Sequence, residues 1–309
     1  MDYCYNWLME FSIAQNQVLT RIVLGSGINL LLASAAFKRQ SVSVSGALSG
    51  LLTGIVIYVS GGIWFWLHLG AFFISSTLLG RFKQEEKAYS TAQHEKHGRR
   101  DGIQVISNTG PGALAALLYF ISPDPAFYTA FAAAFAAANA DTWAGEIGML
   151  SARAPVSILT SKPLPTGASG GVTLLGLTAS AAGAAFIAAV SSGGVLFYVA
   201  SQTLQGASAT LRLAPVLIYT VSVAAIVTLS GFLGSVIDSL LGASLQAEYL
   251  CSSSGQPTER PYSKYSPNTL IKGYRLITND TVNLLSVSAA ALAALIVTKA
   301  LSALLPGIF

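Results

Sequence analysis

The chain has 309 residues, 53% of them hydrophobic and only 10% charged, with a mean hydropathy of +0.60, a composition that describes an integral membrane protein, not a water-soluble domain. Its net charge of +4 comes from 17 Lys and Arg against 13 Asp and Glu, but six of those cations lie between Arg81 and Arg100, so the basic balance belongs to loops and gives no nucleic-acid-binding face. Cys4 and Cys251 stand far apart and outside any C-x-x-C spacing, which excludes a disulfide framework and a thiolate zinc site.

Residues 1–17 carry Asp2 and Glu10 and no Lys or Arg. That is the wrong charge for the start of a cleaved signal peptide, so the first apolar segment is expected to stay in the mature protein. A membrane helix needs about 20 apolar residues, and nine runs qualify as spans: 18–37, 44–60, 63–80, 105–121, 127–150, 171–190, 195–211, 214–246 and 282–304. The expected fold is an all-α polytopic bundle of about 7–10 membrane segments, forming one membrane domain over residues 1–309. As one helix, 214–246 would reach about 50 Å, beyond a core of about 30 Å, and Gly231 and Gly234 mark where it could break.

Lys and Arg collect in cytoplasmic loops. Here they fall at Lys38 and Arg39, between Arg81 and Arg100, at Arg153 and Lys162, at Arg212, and between Arg260 and Arg275, while the connections at 61–62, 122–126 and 191–194 have none. The alternation puts the N-terminus outside and the loops 81–101 and 247–280 in the cytoplasm. It meets a parity problem at 214–246, where one more crossing would put the last basic loop outside. A re-entrant break near Gly231 solves it, and so does a polar 195–211 segment that does not fully span; the break is the preferred expectation, because irregular backbone is tolerated where it lines a cavity. The Ala- and Gly-rich stretches 113–138 and 179–189, and Gly25-Ser26-Gly27 in the first span, read mainly as close helix packing.

Three acids lie inside or at the edge of the spans: Asp141, Glu146 and Asp238. A carboxylate at a helix centre costs about 2.5–3.5 kcal/mol on the insertion scale, so each needs a partner, a cavity or a function. Asp238 shares a helical face with Gly231, Gly234 and Gly242, and Asp141 with Gly145 and Gly148. Glu146 lies five residues after Asp141, about 140° around an ideal helix, so the two share one metal only if the helix is distorted or the ion lies between helices; Asn139 and Glu146, seven apart, do align.

A second set of residues is borne on loops. The run from Lys162 through Pro165, Thr166, Gly167, Ser169, Gly170 and Gly171 leads into a span, and successive N–H groups at a Gly-rich helix start suit a phosphate, although no Gly-Lys-Ser/Thr of a Walker A motif follows. Arg99 and Arg100, with Asn108 further along the next span, offer a second anion site at the interface. Asn279, Asp280 and Asn283 open the last span, where Asp280 also suits a helix N-terminus. His94 and His97 stand three apart without a third ligand nearby, too few for zinc.

These motifs carry a family resemblance. Gly98-Arg99-Arg100-Asp101, the run Asp141-Thr142-Trp143-Ala144-Gly145-Glu146-Ile147-Gly148, the run from Pro165 to Thr173, the run from Gly234 to Gly242, and Thr278-Asn279-Asp280-Thr281-Val282-Asn283 resemble, in order, the membrane-protein family that includes transmembrane protein 19 and the plant chloroplast phytyl-phosphate kinase. The likeness runs from about Gly25 to Leu285. More distantly, the order of acid pair, Gly-rich run and Asp-Ser is similar to CTP-dependent phosphatidate cytidylyltransferases and to phytol and dolichol kinases, although Leu164 to Gly171 lacks the cytidylyltransferase histidine and Asp238-Ser239 lacks a preceding Asp-Arg.

The resemblance implies an enzyme that transfers a phosphoryl group from a nucleotide, with CTP as donor, to a phytyl or polyprenyl monophosphate at the bilayer surface. Asp141, Glu146 and Asp238 would hold Mg²⁺, and Lys162 would join them in catalysis. Arg99, Arg100, Asn108, Thr166, Gly167, Ser169, Gly170, Gly171, Asn279, Asp280 and Asn283 would meet phosphate or nucleotide, the bilayer and the prenyl phosphate are the partners, and a homo-oligomer is compatible with this reading. One alternative is a transporter, whose broken helices and acids form a site at mid-depth; another is a lipid cytidylyltransferase. Depth separates enzyme from carrier, since a cytosolic nucleotide requires acids near the cytoplasmic ends of their helices.

Overall fold

The computed structural model describes residues 15–83, 99–204, 213–263 and 266–305. The apolar runs become helices because lipid offers no hydrogen-bonding partner and each backbone must satisfy itself. Among the described residues these are α1 (Gln15–Lys38), α2 (Val44–Arg81), α3 (Gly102–Ile121), α4 (Pro125–Gly148), α5 (Leu174–Leu204), α6 (Leu213–Ser244) and α7 (Asn279–Leu304). Polar residues at the starts fix where several begin: Ser43 caps α2, Asp101 and Gln104 form a capping box on α3, Asp124 precedes Pro125 at α4, and Thr278 caps α7. The result is the all-α membrane bundle expected, of multi-pass form.

α2 is a helical hairpin. Its 38 residues would span about 57 Å if straight, yet Arg81 Nη2 donates to Ser41 Oγ at 3.3 Å and to the Arg39 carbonyl at 3.4 Å, just ahead of the helix start. Asn29 of α1 touches both limbs, accepting from Trp66 Nε1 at 3.0 Å and lying against Gly54. The chain reverses at Gly61-Gly62, where Gly62 has φ 66°, a left-handed conformation that favours glycine. The expected spans 44–60 and 63–80 are these two limbs.

Two expectations are corrected. α5 runs unbroken through residues 191–194, so the described parts of the runs at 171–190 and 195–211 share one helix, Leu174–Leu204, in place of two crossings. Within that stretch Ser191 bonds the Ile187 carbonyl at 3.2 Å and His68 Nε2 of α2 at 2.8 Å, while Gly194 lets Trp64 come close. α6 is also continuous, with no re-entrant break near Gly231. Gly231 and Gly234 serve close packing instead: a methyl group on either would stand 2.5 Å or 2.6 Å from Ala136 Cβ or Ala137 Cβ of α4. With those runs merged, the parity problem disappears: the described residues form eight helical limbs with α2 counted as two, and five of the helices are long and apolar enough to cross a membrane. α1, the second limb of α2, α4 and α6 all end where the basic loops are, and Lys38, Arg39, Arg81, Arg100, Arg153, Lys162, Arg260, Lys272 and Arg275 gather at that end. Arg212, His94 and His97 lie outside the described residues.

α4 is the axis of the molecule, with α2, α3, α5, α6 and α7 packed around it. Every residue from Tyr128 to Ala140 is buried. Its alanines permit close approach where lipid gives no hydrophobic drive between helices. Toward the end away from the basic loops, Phe65 and Phe131 stack at 4.4 Å within a cluster that includes Tyr119, Tyr128 and Phe135. Polar ties complete the packing, among them Thr129 to Thr298 at 2.7 Å.

At the basic end two small sheets replace open loop. β1 (Val156–Ser157) pairs antiparallel with β2 (Gly171–Val172), and β3 (Glu248–Leu250) lies between β4 (Pro257–Thr258) and β5 (Thr269–Lys272).

Candidate active site

Parallel packing of α4 and α6 brings two acids together. Gly231 lies against Ala136 and Gly234 against Ala137; one turn further on, Asp238 faces Asp141, and the two interact electrostatically. α7 adds Ser286, whose hydroxyl reaches Asp238 Oδ2 at 3.0 Å and the Asn283 carbonyl at 3.1 Å. Both acids are half-buried. Asp141 lies seven residues before the last residue of α4 and Asp238 six before the last of α6, so both sit about 10 Å inside the basic end.

Glu146 takes the other face. α4 is undistorted here, so the 140° offset persists and Glu146 approaches α2, its Oε1 3.5 Å from where a methyl group on Gly80 would stand. Its electrostatic partner is Arg100, whose guanidinium lies 5.9 Å above the Phe72 ring. Burial pushes the Arg100 pKa below the ordinary arginine value, and Glu146 opposes that shift. The expected three-acid metal set is therefore divided, and among the described residues no group of three or more His, Cys, Asp or Glu is placed to hold one ion. Asn139, aligned with Glu146, is a structural tie: its Nδ2 donates to the Gly183 carbonyl at 2.8 Å, and its Oδ1 accepts from Ser75 at 2.8 Å.

The Gly-rich turn lies on the C-terminal end of α6. Gly167 and Gly170 have φ 87° and 77°, and a methyl group on Gly170 would meet Ala243 Cβ at 2.4 Å, so glycine is required there twice over. Ala168 and Gly171 spend their N–H groups on the Pro165 and Ala168 carbonyls. The N–H groups of Gly167, Ser169 and Gly170 make no hydrogen bond among the described residues, and the Gly170 nitrogen lies against Gly242 of α6. Thr166 and Lys162 are exposed beside the turn, and Gly171 pairs with Ser157 in the β1–β2 hairpin.

The remaining residues are spread more widely. Asp280 is buried at 7% exposure in the first turn of α7, with Asn279 and Asn283 half-buried beside it. Thr278 caps that helix, and Asp280 stands in its first turn, where the helix dipole favours an acid. Asn108 bonds the Gln104 carbonyl at 2.9 Å. Arg99 is exposed, with its guanidinium 5.9 Å from the Phe37 ring on the α1 side. Sequence reasoning missed Glu259 and Lys272. Glu259 Oε1 accepts from Ser169 Oγ at 2.8 Å and from Gln246 Nε2 at 2.7 Å, and Lys272 Nζ donates to the Gly242 carbonyl at 3.2 Å. Neither sits in an apolar run or a spacing that would have singled it out.

The sequence profile of the integral membrane proteins designated DUF92 matches residues 27–291. The chain belongs to this family. It is the membrane family of the plant phytyl-phosphate kinase type that the five motifs resemble. DUF92 relatives include Protein PGR of Arabidopsis thaliana, 28% identical over 284 residues, or 86% of this chain and 92% of PGR. An uncharacterized membrane protein of Synechocystis is 25% identical over 75% of this chain and 81% of its own length. The chloroplastic Protein VTE6 of Arabidopsis thaliana is 26% identical over 154 residues, covering 48% of this chain and 46% of VTE6. No solved structure matches.

Proposed function

We propose that this DUF92 protein is a membrane-embedded prenyl-phosphate kinase, transferring the γ-phosphoryl group of a nucleotide, with CTP as donor, to a phytyl or polyprenyl monophosphate. The observation that carries the reading is the facing pair Asp141 and Asp238 near the basic end, about one turn of α6 from where the Gly-rich turn packs on Gly242 and Ala243. An oxygen of the acceptor monophosphate attacks the donor γ-phosphorus, the bond to the β–γ bridging oxygen breaks, and a nucleoside diphosphate leaves. Such a transfer needs positioning and charge neutralisation more than covalent chemistry from the protein.

Magnesium is commonly held by one or two carboxylates, with substrate phosphates and water filling its other positions. Asp141 and Asp238 fit that demand, since two facing acids in an apolar bundle call for a cation between them. Bound there, the ion would neutralise charge on the transferring phosphoryl group. The Gly167, Ser169 and Gly170 N–H groups would hold donor phosphate oxygens, with Thr166, Gly171 and Lys162 at the rim. Arg100, with Glu146, lies on the opposite face of α4 from the acid pair and, with Arg99 and Asn108, would draw phosphate-bearing substrates to this surface without touching the reacting phosphates. Asn283 and Asp280 would support the acid pair from α7. This working face is the cytoplasmic one by the distribution of Lys and Arg.

The transporter reading is weaker on two observations: the acids lie near one end and not at mid-depth, and α6 is unbroken where a carrier site would unwind. Purified protein incubated with prenyl monophosphates and each nucleoside triphosphate should yield a prenyl diphosphate and a nucleoside diphosphate. A CDP-linked lipid with pyrophosphate would identify a cytidylyltransferase instead. Uptake of substrate into protein-containing vesicles without any nucleotide-dependent product would overturn the kinase.

A further inference from the structure

The Gly-rich turn needs an anchor. Two residues in left-handed conformation, Gly167 and Gly170, are costly to order because glycine loses most backbone freedom, and Ser169 between them is the residue whose side chain is tied elsewhere. Its hydroxyl donates to Glu259 Oε1 at 2.8 Å. The same oxygen accepts from Gln246 Nε2 at 2.7 Å, and Gln246 is only 3% exposed. Gln246 lies two residues beyond the end of α6 and is held in turn, since Gly273, at φ 71°, lies so close that a methyl group there would stand 2.1 Å from the Gln246 carbonyl oxygen. Glu259 also interacts electrostatically with Asp238. A third carboxylate beside two others is an unfavourable choice for packing alone.

We propose that Glu259 is a positioning residue, which holds the Gly-rich turn over the Asp141–Asp238 pair so that its N–H groups receive the phosphates of the donor nucleotide. Its oxygen joins three elements: the turn through Ser169, the end of α6 through Gln246, and the β3–β4–β5 sheet through its own backbone next to β4. The identity of the anion as a nucleotide polyphosphate rests on the kinase reading above, whereas the anchoring itself does not.

Calorimetric titration of inorganic tripolyphosphate into the purified full-length protein tests the anchor without requiring turnover. Glu259→Ala should weaken tripolyphosphate about tenfold, as loss of a charge-assisted hydrogen bond implies. Ser169→Ala, which leaves Glu259 in place and guards against a folding defect in the first variant, should do the same, and the double variant should be no weaker than Glu259→Ala alone. Glu259→Gln keeps an accepting oxygen for both donors and should stay within about threefold of the parent. In turnover, the nucleotide KM should rise by the same factor as the binding loss, with the prenyl-phosphate KM unchanged. Parent-like tripolyphosphate binding by Glu259→Ala, damage in Glu259→Gln equal to that in Glu259→Ala, or no tripolyphosphate binding by the parent protein would each overturn the proposal. The expected binding pattern without nucleotide-dependent turnover would remove the kinase reading and leave the anchor standing.

Discussion

At the scale of single residues, the acid pair makes the most demanding prediction. Asp141→Asn and Asp238→Asn each keep side-chain volume while removing a charge that its partner opposes, so both variants should remain folded in detergent. Turnover should fall by more than the factor of about a hundred that loss of an outer-shell partner can cause at a metal site. Ser286→Ala removes the hydroxyl bonded to Asp238 Oδ2 and should cost about tenfold, the lower end of that range. Full activity in either Asn variant would remove the pair from the mechanism. These acids could be read from the sequence because a carboxylate in an apolar helix needs a reason, and even their grouping was partly readable, since an undistorted helix separates Asp141 from Glu146. Glu259 was not readable: it reaches Ser169 across 90 residues of chain, and nothing local distinguishes it from other loop acids.

At the scale of elements, glycine carries two meanings that only the packed neighbour separates. Gly61-Gly62 is a true reversal, readable as a gap between apolar runs. Gly193-Gly194 and Gly231 looked alike in sequence, yet both lie within continuous helices, the first beside the Ser191–His68 hydrogen bond and the second pressed on α4. Substitutions should report the difference. Gly231→Ala drives a methyl group to 2.5 Å from Ala136 Cβ and 2.9 Å from its carbonyl carbon, and should destabilise by about 1–3 kcal/mol through overpacking. Gly193→Ala meets nothing within 4 Å and should be neutral or stabilising by up to about 1 kcal/mol through helix propensity. Thermal unfolding in detergent distinguishes the two, and equal behaviour would contradict the tight α4–α6 contact on which the acid pair depends.

At the scale of the whole molecule, sidedness can be tested with a cysteine already in place. Cys251 follows β3 at the basic end, where hydrogen bonds from Ser253, Ser254 and Ser263 hold its thiol down to about 6. A lowered thiol pKa favours the thiolate, so alkylation should reach its plateau near pH 7 and not climb through the ordinary thiol range near pH 8.5. With Cys4→Ser, an impermeant maleimide should label Cys251 in inverted vesicles and fail in right-side-out ones; the reverse would place the acid pair on the outer face and rule out a cytosolic donor. The number of crossings was readable only approximately, because hydropathy marks apolar length but not whether two consecutive runs share one helix.

The burial of α4 bears on how the protein is made. Five helices, α1, α2, α5, α6 and α7, are long and apolar enough to cross a membrane on composition alone; α3 and α4 are not among them. The alanine surface that suits the axis of the bundle is a poor ticket into lipid before its neighbours arrive. During synthesis α4 emerges ahead of α5, α6 and α7, and its contacts with α7, including Thr129 to Thr298 and the ion pair of Asp124 with Lys299, close only when the last helix is made. A chain truncated before Asn279 should therefore leave α4 incompletely inserted. A glycosylation acceptor placed in the 122–124 connection should be modified inefficiently in that chain and fully once α7 is restored. Biogenesis of this protein would then depend on an insertase able to retain a weakly hydrophobic segment until translation ends.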